Sequence, residues 1–538
     1  MKSAYLARLS KPGRARRSDM VTLSSPMAGW FTAGNLDVMP VATAQRLENW
    51  RPTATGIVQR SGSRKYAKVT DGASPAVSFI TYNATLKKLF AASATSIFDI
   101  SVIADPETIP VAAVSGQTNG YYSFVNFTTS GGEYLTAVNG ADALLLYDPI
   151  GGWKKITGTS TPLAITGITS TAELSSVWVY KNRQFFTGQG MLAYCLPVSS
   201  VAGALTKIDL NGVFQRGGRL MFGASWSLDA GDGLDDKCVF VTTQGEVAVY
   251  EGNNPGDPNN WQLVGRYDLA APLGPRAFMR SGGDLLIGTE VGLLPISAAV
   301  SSDASILEQN AKSRAISPDW RKGAVTRRTQ PWEIVRHPEL GYAIVSLPGV
   351  TAAQPGLCYV MNTETGAWCS YTGWDARCLA YHDKTLYFGT RDGKVMIGEA
   401  GGSDDGRAIY YTCVANPDHL GQQGVWKTVH LAQAKFKAAT PFDALISAST
   451  DGAVELPSPP DAAADSGTGN AFWDTGKWDT AKWDTGFALA GISSVKASIG
   501  KTGSTVQWQL QVTGSQTIRP VVELVSINLS FENGAPLL

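Results

Sequence analysis

The stretch Gly282–Ile296, GGDLLIGTEVGLLPI, and its near copy Asp383–Gly398, DKTLYFGTRDGKVMIG, decide the fold class of this chain. Each runs from an apolar strand into Gly-Thr, and then through a turn into a second apolar strand, which is the pattern of a β-hairpin. Looser copies recur about 50 residues apart along the chain. They are KLFAASATSIFDI from Lys88, EYLTAVNGADALLLYD from Glu133, QFFTGQGMLAYCL from Gln184 and CVFVTTQGEVAVYEG from Cys238.

The repeat length predicts the architecture. A period of about 50 residues that holds four short strands is typical of a β-propeller blade, because such a small sheet buries its faces only against its neighbours. The copies alternate as strands do: Val247 and Val249 share one face, and Ala248 and Tyr250 share the other. We therefore predict an all-β protein with a β-propeller of six or seven blades over residues 78–400. The alternative is an ordinary β-sandwich whose hairpins are similar by coincidence.

Composition narrows the functional classes. Lys and Arg number 45, as do Asp and Glu, so no net charge draws the whole chain to nucleic acid or to an anionic membrane. The six cysteines form no C-x-x-C pair, so we expect free thiols in a reducing compartment. We find no signal peptide, no apolar run long enough to cross a membrane, and no motif of nucleophilic or metal-dependent catalysis. We expect a protein that is not an enzyme and carries no cofactor.

The segments around the propeller predict a second β domain. Residues 29–77 form an N-terminal β segment, and residues 401–456 and 488–538 read as two halves of one β-sheet domain, which we call the platform. In the second half, apolar residues alternate strictly with glutamines from Val506 to Val512, as expected for a long β-strand. Residues 457–487, rich in proline, glycine and tryptophan, interrupt the two halves.

Three tryptophans mark this interruption. Trp473, Trp478 and Trp483 recur every five residues, each followed by Asp-Thr. A period of five fits neither a strand nor a helix, and the aspartates lack the ligand density of a calcium loop. We expect an irregular loop whose tryptophans have a packing or interface role, because exposed tryptophans are favoured interface anchors.

Two stretches are strongly basic. Residues 1–28 form an N-terminal arm that contains Lys11, Arg14, Arg16 and Arg17, and residues 1–17 contain no acid. We predict that this arm docks onto a neighbouring protein, with DNA as the second choice.

The second basic stretch is a helix-and-loop insertion between blades, residues 301–338. Ser302 or Asp303 is a candidate N-cap for a short helix that ends near Ser313. Between Lys312 and Arg336, only Asp319 and Glu333 oppose the cations, so the stretch is either a solvated loop or a contact for phosphate groups. The cations are Lys312, Arg314, Arg321, Lys322, Arg327, Arg328 and Arg336.

The N-terminal segment carries a family resemblance. Gly29–Ala67, GWFTAGNLDVMPVATAQRLENWRPTATGIVQRSGSRKYA, combines a Gly-Asn entry, a proline, LENW and GIVQRSG ahead of the propeller. In this order it resembles the tail nozzle proteins of short-tailed bacteriophages, also called tail tubular protein B or packaged-DNA stabilisation proteins. In that family an asparagine precedes a G-[LI]-x-x-R-x-G element that begins the β scaffold. The matching positions are Asn49, Gly56, Arg60 and Gly62, and Ser61 stands where the family usually has proline.

The resemblance implies a structural virion protein, made in the cytoplasm of a host bacterium and carried in the tail. It implies a homohexameric ring that hangs below the portal-adaptor ring, carries a fibre, spike or needle, and retains the packaged genome until double-stranded DNA leaves through it. We accordingly predict that the basic insertion is the DNA channel or gate, that the N-terminal arm docks onto the adaptor or portal, and that the tryptophans meet a tail part or a subunit.

Two other functional classes stay open. The chain could be a propeller glycan hydrolase, which would depend on a carboxylate near the propeller axis. It could also be a monomeric β-propeller that serves as a scaffold for protein interactions. A scaffold stays monomeric, whereas a nozzle protein forms rings.

Overall fold

The structure, a computed structural model, describes residues 18–35, 39–72, 74–227, 236–301, 304–439, 442–462, 491–514 and 519–536. Within these ranges the chain is almost entirely β-strand, and it forms a propeller joined to a two-sheet platform. No helix in the described part of the chain is long and apolar enough to span a membrane.

The N-terminal strands do not form a unit of their own. Three of them join one platform sheet, two join the other, and the sixth joins the propeller. They are β1 (Asp19–Ser24), β2 (Gly29–Trp30), β3 (Thr43–Glu48), β4 (Trp50–Pro52), β5 (Ile57–Gln59) and β6 (Ser63–Lys68).

Blades 1 to 4 are antiparallel sheets of four strands each. Blade 1 contains β7 (Ser78–Asn83), β8 (Lys87–Ala92), β9 (Ser96–Asp99) and β10 (Ala112–Ser115). Blade 2 contains β11 (Ser123–Thr129), β12 (Gly132–Val138), β13 (Leu144–Asp148) and β14 (Gly152–Ile156). After β15 (Ile165–Thr166) and a 3₁₀ helix (Thr171–Glu173), blade 3 contains β16 (Ser176–Tyr180), β17 (Arg183–Thr187), β18 (Leu192–Cys195) and, beyond β19 (Gly203–Ala204), β20 (Thr206–Asp209). Blade 4 contains β21 (Leu220–Trp226), β22 (Lys237–Thr242), β23 (Glu246–Gly252) and β24 (Trp261–Asp268).

Blades 5 to 7 depart from this plan. Blade 5 has three strands, β25 (Phe278–Ser281), β26 (Asp284–Gly288) and β27 (Leu293–Pro295). A helical insertion follows, with α1 (Ile296–Ser301), 3₁₀ helices over Ala304–Asn310 and Arg314–Ile316, and α2 (Ser317–Thr326). Blade 6 contains β28 (Glu333–His337), β29 (Tyr342–Leu347), β30 (Leu357–Asn362) and β31 (Trp368–Tyr371). Blade 7 contains β32 (Ala376–His382), β33 (Thr385–Thr390), β34 (Lys394–Gly398) and, as its fourth strand, β6.

The first strands of the seven described blades surround the propeller axis. They contact one another in the order β7, β11, β16, β21, β25, β28 and β32, and β32 contacts β7 again. Between β21 and β25, the rings of Phe222 and Phe278 stack with centroids 4.5 Å apart. The ring is therefore closed, and the prediction of a propeller with six or seven blades is confirmed, with seven blades in the described residues.

The platform is built from both ends of the chain, as predicted. Its remaining strands are β35 (Ile409–Ala415), β36 (Val425–Ala438), β37 (Ala444–Thr450), β38 (Gly491–Gly503), β39 (Val506–Gly514) and β40 (Val522–Pro536). One sheet has the order β38-β36-β40-β5-β4, with β1 also paired to β40. The other continues directly from blade 6, in the order β28-β29-β30-β31-β3-β35-β39-β37, with β2 paired to β3. Blade 6 and the platform thus share one sheet and one hydrophobic core.

Several predicted boundaries are wrong. The propeller does not begin at residue 78, because β6 lies within the predicted N-terminal segment 29–77 and pairs with the free edge of β34. Ala67 of β6 is buried in the core between blades 7 and 1, which explains why the pairing is favourable. The predicted arm, residues 1–28, contains β1, and the predicted insertion, residues 301–338, contains β28.

The predicted helix in the insertion is also displaced. Within the predicted span, Ala304–Asn310 form a 3₁₀ helix, and the longer α-helix of the insertion, α2, begins at Ser317, beyond the expected end near Ser313. The candidate N-caps Ser302 and Asp303 lie outside the described residues. Pro318 lies in the first turn of α2, where its missing N–H has no intrahelical partner to lose.

Candidate functional site

Asn49 and Arg60, two of the positions that carry the family resemblance, meet in a buried cluster. Arg60 forms a bidentate ion pair with Asp404, with Nη2–Oδ2 at 2.5 Å and Nη1–Oδ1 at 3.0 Å. Its Nε donates to Asn49 Oδ1 at 2.8 Å, and its Nη atoms also donate to the carbonyl oxygens of Ser61 and Thr372. All five guanidinium N–H groups therefore have an acceptor, as a buried arginine requires. We call Asn49, Arg60, Thr372 and Asp404 the Arg60 clamp.

Asn49 lies between β3 and β4 with a left-handed backbone, at φ 62°. Asparagine adopts this conformation more readily than most residues, because its short polar side chain bonds locally. Its Nδ2 donates to Thr372 Oγ1 and to the Tyr410 carbonyl oxygen, both at 2.7 Å, while its Oδ1 accepts the Thr372 N–H at 2.9 Å. The side chain thus links the N-terminal segment to the blade 6–blade 7 connection and to β35.

The two motif glycines permit close backbone approach. A Cβ at Gly62 would lie 1.9 Å from the Ser403 carbonyl oxygen, and a Cβ at Gly56 would lie 2.5 Å from that of Leu524. Ser61, where the family usually has proline, donates its backbone N–H to Glu399 Oε2 at 3.1 Å. Proline has no backbone N–H and could not make this bond, so Ser61, where this chain departs from the family pattern, makes a hydrogen bond that proline would lose.

Glu399 is a second buried carboxylate beside the Arg60 clamp. Glu399 Oε1 accepts hydrogen bonds from the hydroxyls of Tyr342 at 3.0 Å and Tyr371 at 3.2 Å. Burial and the nearby Glu399 raise the pKa of both tyrosines well above the usual range, so they stay neutral donors. Burial alone would lower the pKa of Arg60, but Asp404 outweighs it, and the pKa of Arg60 lies above its ordinary value.

The clamp is suited to holding parts of the molecule together. Arg60 follows β5, Thr372 connects blade 6 to blade 7, and Asp404 lies in the connection from the propeller to the platform. Sequence reasoning identified Asn49 and Arg60 but missed Thr372 and Asp404. Asp404 is 344 residues from Arg60, and an aspartate in the polar loop GGSDDG gives no local signal of such a partner.

The basic insertion packs against blades 5 and 6 through α2. Trp320, Gly323 and Ala324 form the buried face of this helix. The Trp320 Nε1 donates to the Thr289 carbonyl oxygen at 2.8 Å, and the Trp368 Nε1 donates to that of Lys312 at 2.9 Å. The insertion directly follows β27, the third and outermost strand of blade 5. In the order of the chain it therefore takes the place of a fourth strand of that blade.

Three of the predicted cations are already engaged. Arg321 pairs with Glu308, and Arg328 lies 3.5 Å from Glu290. Arg327 donates to the Pro355 carbonyl oxygen at 2.6 Å, and partial burial lowers its pKa.

The two acids expected to oppose the stretch do not neutralise it. Asp319 accepts a hydrogen bond from Thr32, and Glu333 pairs with Arg276 outside the stretch. Two of its cations pair instead with Glu308 and Glu290, which lie outside Lys312–Arg336.

Four of the predicted cations have no ion-pair partner among the described residues. Lys312, Arg314 and Lys322 are exposed on the insertion, and we call these three the basic face. Arg336 lies on a different element, β28, the innermost strand of blade 6. The predicted channel residues therefore do not form one continuous set.

A cavity of about 450 Å³ follows the propeller axis. Its lining comes from the innermost strands and includes Thr81, Asn126, Val177, Trp178, Ser225 and Phe278, and none of the described lining residues is acidic. A smaller void of about 30 Å³ lies at one end, where Glu333 is the one acid in the lining and is paired with Arg276.

Other predicted sites lie outside the described residues. These are the arm cations Lys11, Arg14, Arg16 and Arg17, and the tryptophans Trp473, Trp478 and Trp483. Within the described ranges, no group of three or more His, Cys, Asp or Glu side chains could hold a metal ion.

Comparison with known proteins gives weak similarities only. No protein-family model and no curated protein matches the chain. Among solved structures, BBS1N in complex with ARL6DN matches at 12% identity and TM-score 0.37, over 64% of this chain and 97% of that one. Saccharomyces cerevisiae Sqt1 matches at 11% identity and TM-score 0.36, over 62% and 98%. The computationally designed Ika8 protein matches at 9% identity and TM-score 0.34, over 62% and 99%. Similarity at this level does not identify a function.

Proposed function

We propose that this chain is a structural subunit of the tail nozzle of a short-tailed bacteriophage. Copies of it form a hexameric ring below the portal-adaptor ring, and the ring retains the genome until DNA leaves through it. One observation carries the proposal: the asparagine and arginine of the family motif meet in the Arg60 clamp, and both motif glycines sit at close backbone contacts. The residues that match the family pattern thus make specific contacts in this chain: Asn49 and Arg60 are hydrogen-bonded to each other, and Gly56 and Gly62 allow close approach of neighbouring backbone.

The small size of the axial cavity favours a DNA conduit that lies between copies of the chain over one that passes along the axis of a single propeller. A volume of about 450 Å³ is the size of a small-molecule site, so a DNA duplex does not fit along the propeller axis. A nozzle built from this chain must therefore enclose DNA by surrounding it with several subunits. This requirement agrees with the ring that the resemblance implies.

The basic face supplies the contact with DNA in this proposal. Lys312, Arg314 and Lys322 are exposed and have no ion-pair partner among the described residues, so their charges are available to phosphate groups. Repeated around a ring, they form a positive belt, while the rest of the neutral chain offers little attraction to passing DNA. The N-terminal arm and the tryptophan segment supply the contacts with the adaptor and with a fibre, spike or needle.

The test is the mass of the particles that the full chain forms with its adaptor. We expect mass photometry to show a complex with six copies of the chain per adaptor ring. A chain that stays monomeric in the presence of the adaptor would contradict the proposal and favour the interaction scaffold. Release of oligosaccharides from the capsule of the host would instead favour a glycan hydrolase.

A further inference from the structure

Arg276 reaches from its own blade to three others at one end of the propeller axis. It lies in the connection between β24 and β25, and its Nε is 2.8 Å from Glu333 Oε1 at the start of β28. Its Nη2 donates to the Val77 carbonyl oxygen, just before β7, at 3.2 Å. Its Nη1 lies 3.5 Å from the carbonyl oxygen of Tyr122, just before β11. One side chain thus joins blades 5, 6, 1 and 2.

Glu333 extends these contacts to blade 7. Its Oε2 accepts the backbone N–H of Leu379, in β32, at 2.8 Å. The Glu333 side chain is 6% exposed, so both of its oxygens depend on these partners and not on water. Through Arg276 and Glu333, five of the seven described blades are tied together near the axis.

The seam between the last and first blades lies beside this pair. Cys378, the neighbour of Leu379, places its Sγ 3.4 Å from the carbonyl oxygen of Ala76, which precedes β7. At the outer edge of blade 7, β6 pairs with β34. The ring therefore has one closure at its rim, made by a strand, and a separate closure at its axis, made by a pair of side chains.

The same pair limits the axial cavity. Arg276 lines both the cavity of about 450 Å³ and the void of about 30 Å³ beside Glu333. The smaller void has room for about one water molecule. The side chains thus nearly fill this end of the axis, and the larger cavity extends away from them.

We propose that Arg276 and Glu333 form an axial latch, which shuts one end of the propeller channel and holds the seam between blades 7 and 1 closed. Loss of Arg276 leaves the buried Glu333 carboxylate without its cation, which favours an open seam. The latch concerns a single copy of the chain, so it stands or falls independently of the nozzle proposal.

Cys378 reports on the latch. All six cysteines are free and buried, and burial raises the pKa of the Cys378 thiol far above its usual range, so it reacts only when the seam opens. The experiment treats the full chain with N-ethylmaleimide under native conditions and follows each cysteine by mass spectrometry. We expect Arg276→Met to accelerate labelling of Cys378 at least about tenfold, as loss of a hydrogen bond between charged groups would, while Cys413 in the platform keeps its rate.

Two further variants keep the test decisive. Arg266→Met removes an arginine from the buried Arg266–Glu246 pair, which lies within blade 4, and we expect it to leave Cys378 protected. Arg276→Lys keeps the charge but loses the guanidinium fork, and we expect an intermediate labelling rate; it decides the question if Arg276→Met does not fold. Unchanged Cys378 labelling in both Arg276 variants would overturn the latch. An equal rise at every cysteine, or an equal rise at Cys378 in Arg266→Met, would also overturn it, because the effect would then be general destabilisation.

Discussion

At the scale of single residues, Asn49 and Arg60 show how two side chains can specify a junction between distant parts of a chain. Asn49 supplies a left-handed turn and four side-chain hydrogen bonds, and Arg60 uses all of its donors within the protein. The need for these two residue types could be predicted from the sequence through the family resemblance. Their partners could not, because a hydrogen bond to Asp404 or to Thr372 depends on a fold that brings remote loops together.

The first prediction concerns the central ion pair. Arg60→Met leaves the Asp404 carboxylate buried without its cation, and we expect the free energy of unfolding to fall by about 3–5 kcal/mol. Chemical denaturation checks this value. Arg46→Ala is the control, because Arg46 is about half exposed and pairs with Glu48 at the surface, so we expect a change below about 1 kcal/mol. Equal effects of the two substitutions would contradict the role assigned to Arg60.

The second prediction concerns the residue that departs from the family. Ser61→Pro removes the N–H that Glu399 accepts, and we expect a loss of about 1–3 kcal/mol in the free energy of unfolding. Ser61→Ala keeps this N–H and removes a hydroxyl that has no hydrogen-bond partner in the described part of the chain, so it should be neutral or slightly stabilising. Urea denaturation separates the two variants. A stabilising proline would show that the Ser61 N–H contributes nothing.

At the scale of elements, the hairpins that predicted the fold share one position in the architecture. They are β8–β9, β12–β13, β17–β18, β22–β23, β26–β27 and β33–β34, the second and third strands of their blades. These strands are predictable because they are adjacent in sequence and buried on both faces. The fourth strand of blade 7 was not predicted, because β6 pairs with a strand more than three hundred residues away and no local pattern encodes that pairing.

The third prediction concerns the basic insertion. Replacing Lys312, Arg314 and Lys322 with Ser removes the unpaired cations, so we expect assembled rings to bind DNA more weakly. The slope of the logarithm of the binding constant against the logarithm of the salt concentration should fall by about one for each lost phosphate contact. Binding is measured over a range of salt concentrations. The control replaces Arg321 and Arg328 with Ser. Since both arginines are paired with glutamates, this control should change binding less, and a larger effect of the control would contradict the assignment.

At the scale of the whole molecule, propeller and platform form one structural unit. Blade 6 continues into a platform sheet where Glu48 of β3 pairs with Ser370 of β31. The main core runs from Trp320 and Trp332 in the insertion to Trp508 and Phe531 in the platform. The propeller and the sheet domain are therefore separate segments of the sequence, but they pack around one shared core.

The fourth prediction follows from this shared core. Because the Arg60 clamp and a continuous sheet join the two parts, we expect them to unfold together. Differential scanning calorimetry of the full chain should show a single main transition. Two well-separated transitions, with the platform strands lost before the blades, would contradict the shared unit.

The most direct test of the nozzle proposal is a cryo-electron microscopy reconstruction of the full chain bound to its portal-adaptor ring. The account predicts a closed six-copy ring whose central channel lies between the copies, with the basic face of each copy turned toward that channel and the propeller axes blocked. A ring with Lys312, Arg314 and Lys322 on its outer wall would contradict the role of the basic face. A chain that binds no adaptor and forms no ring would contradict the nozzle itself.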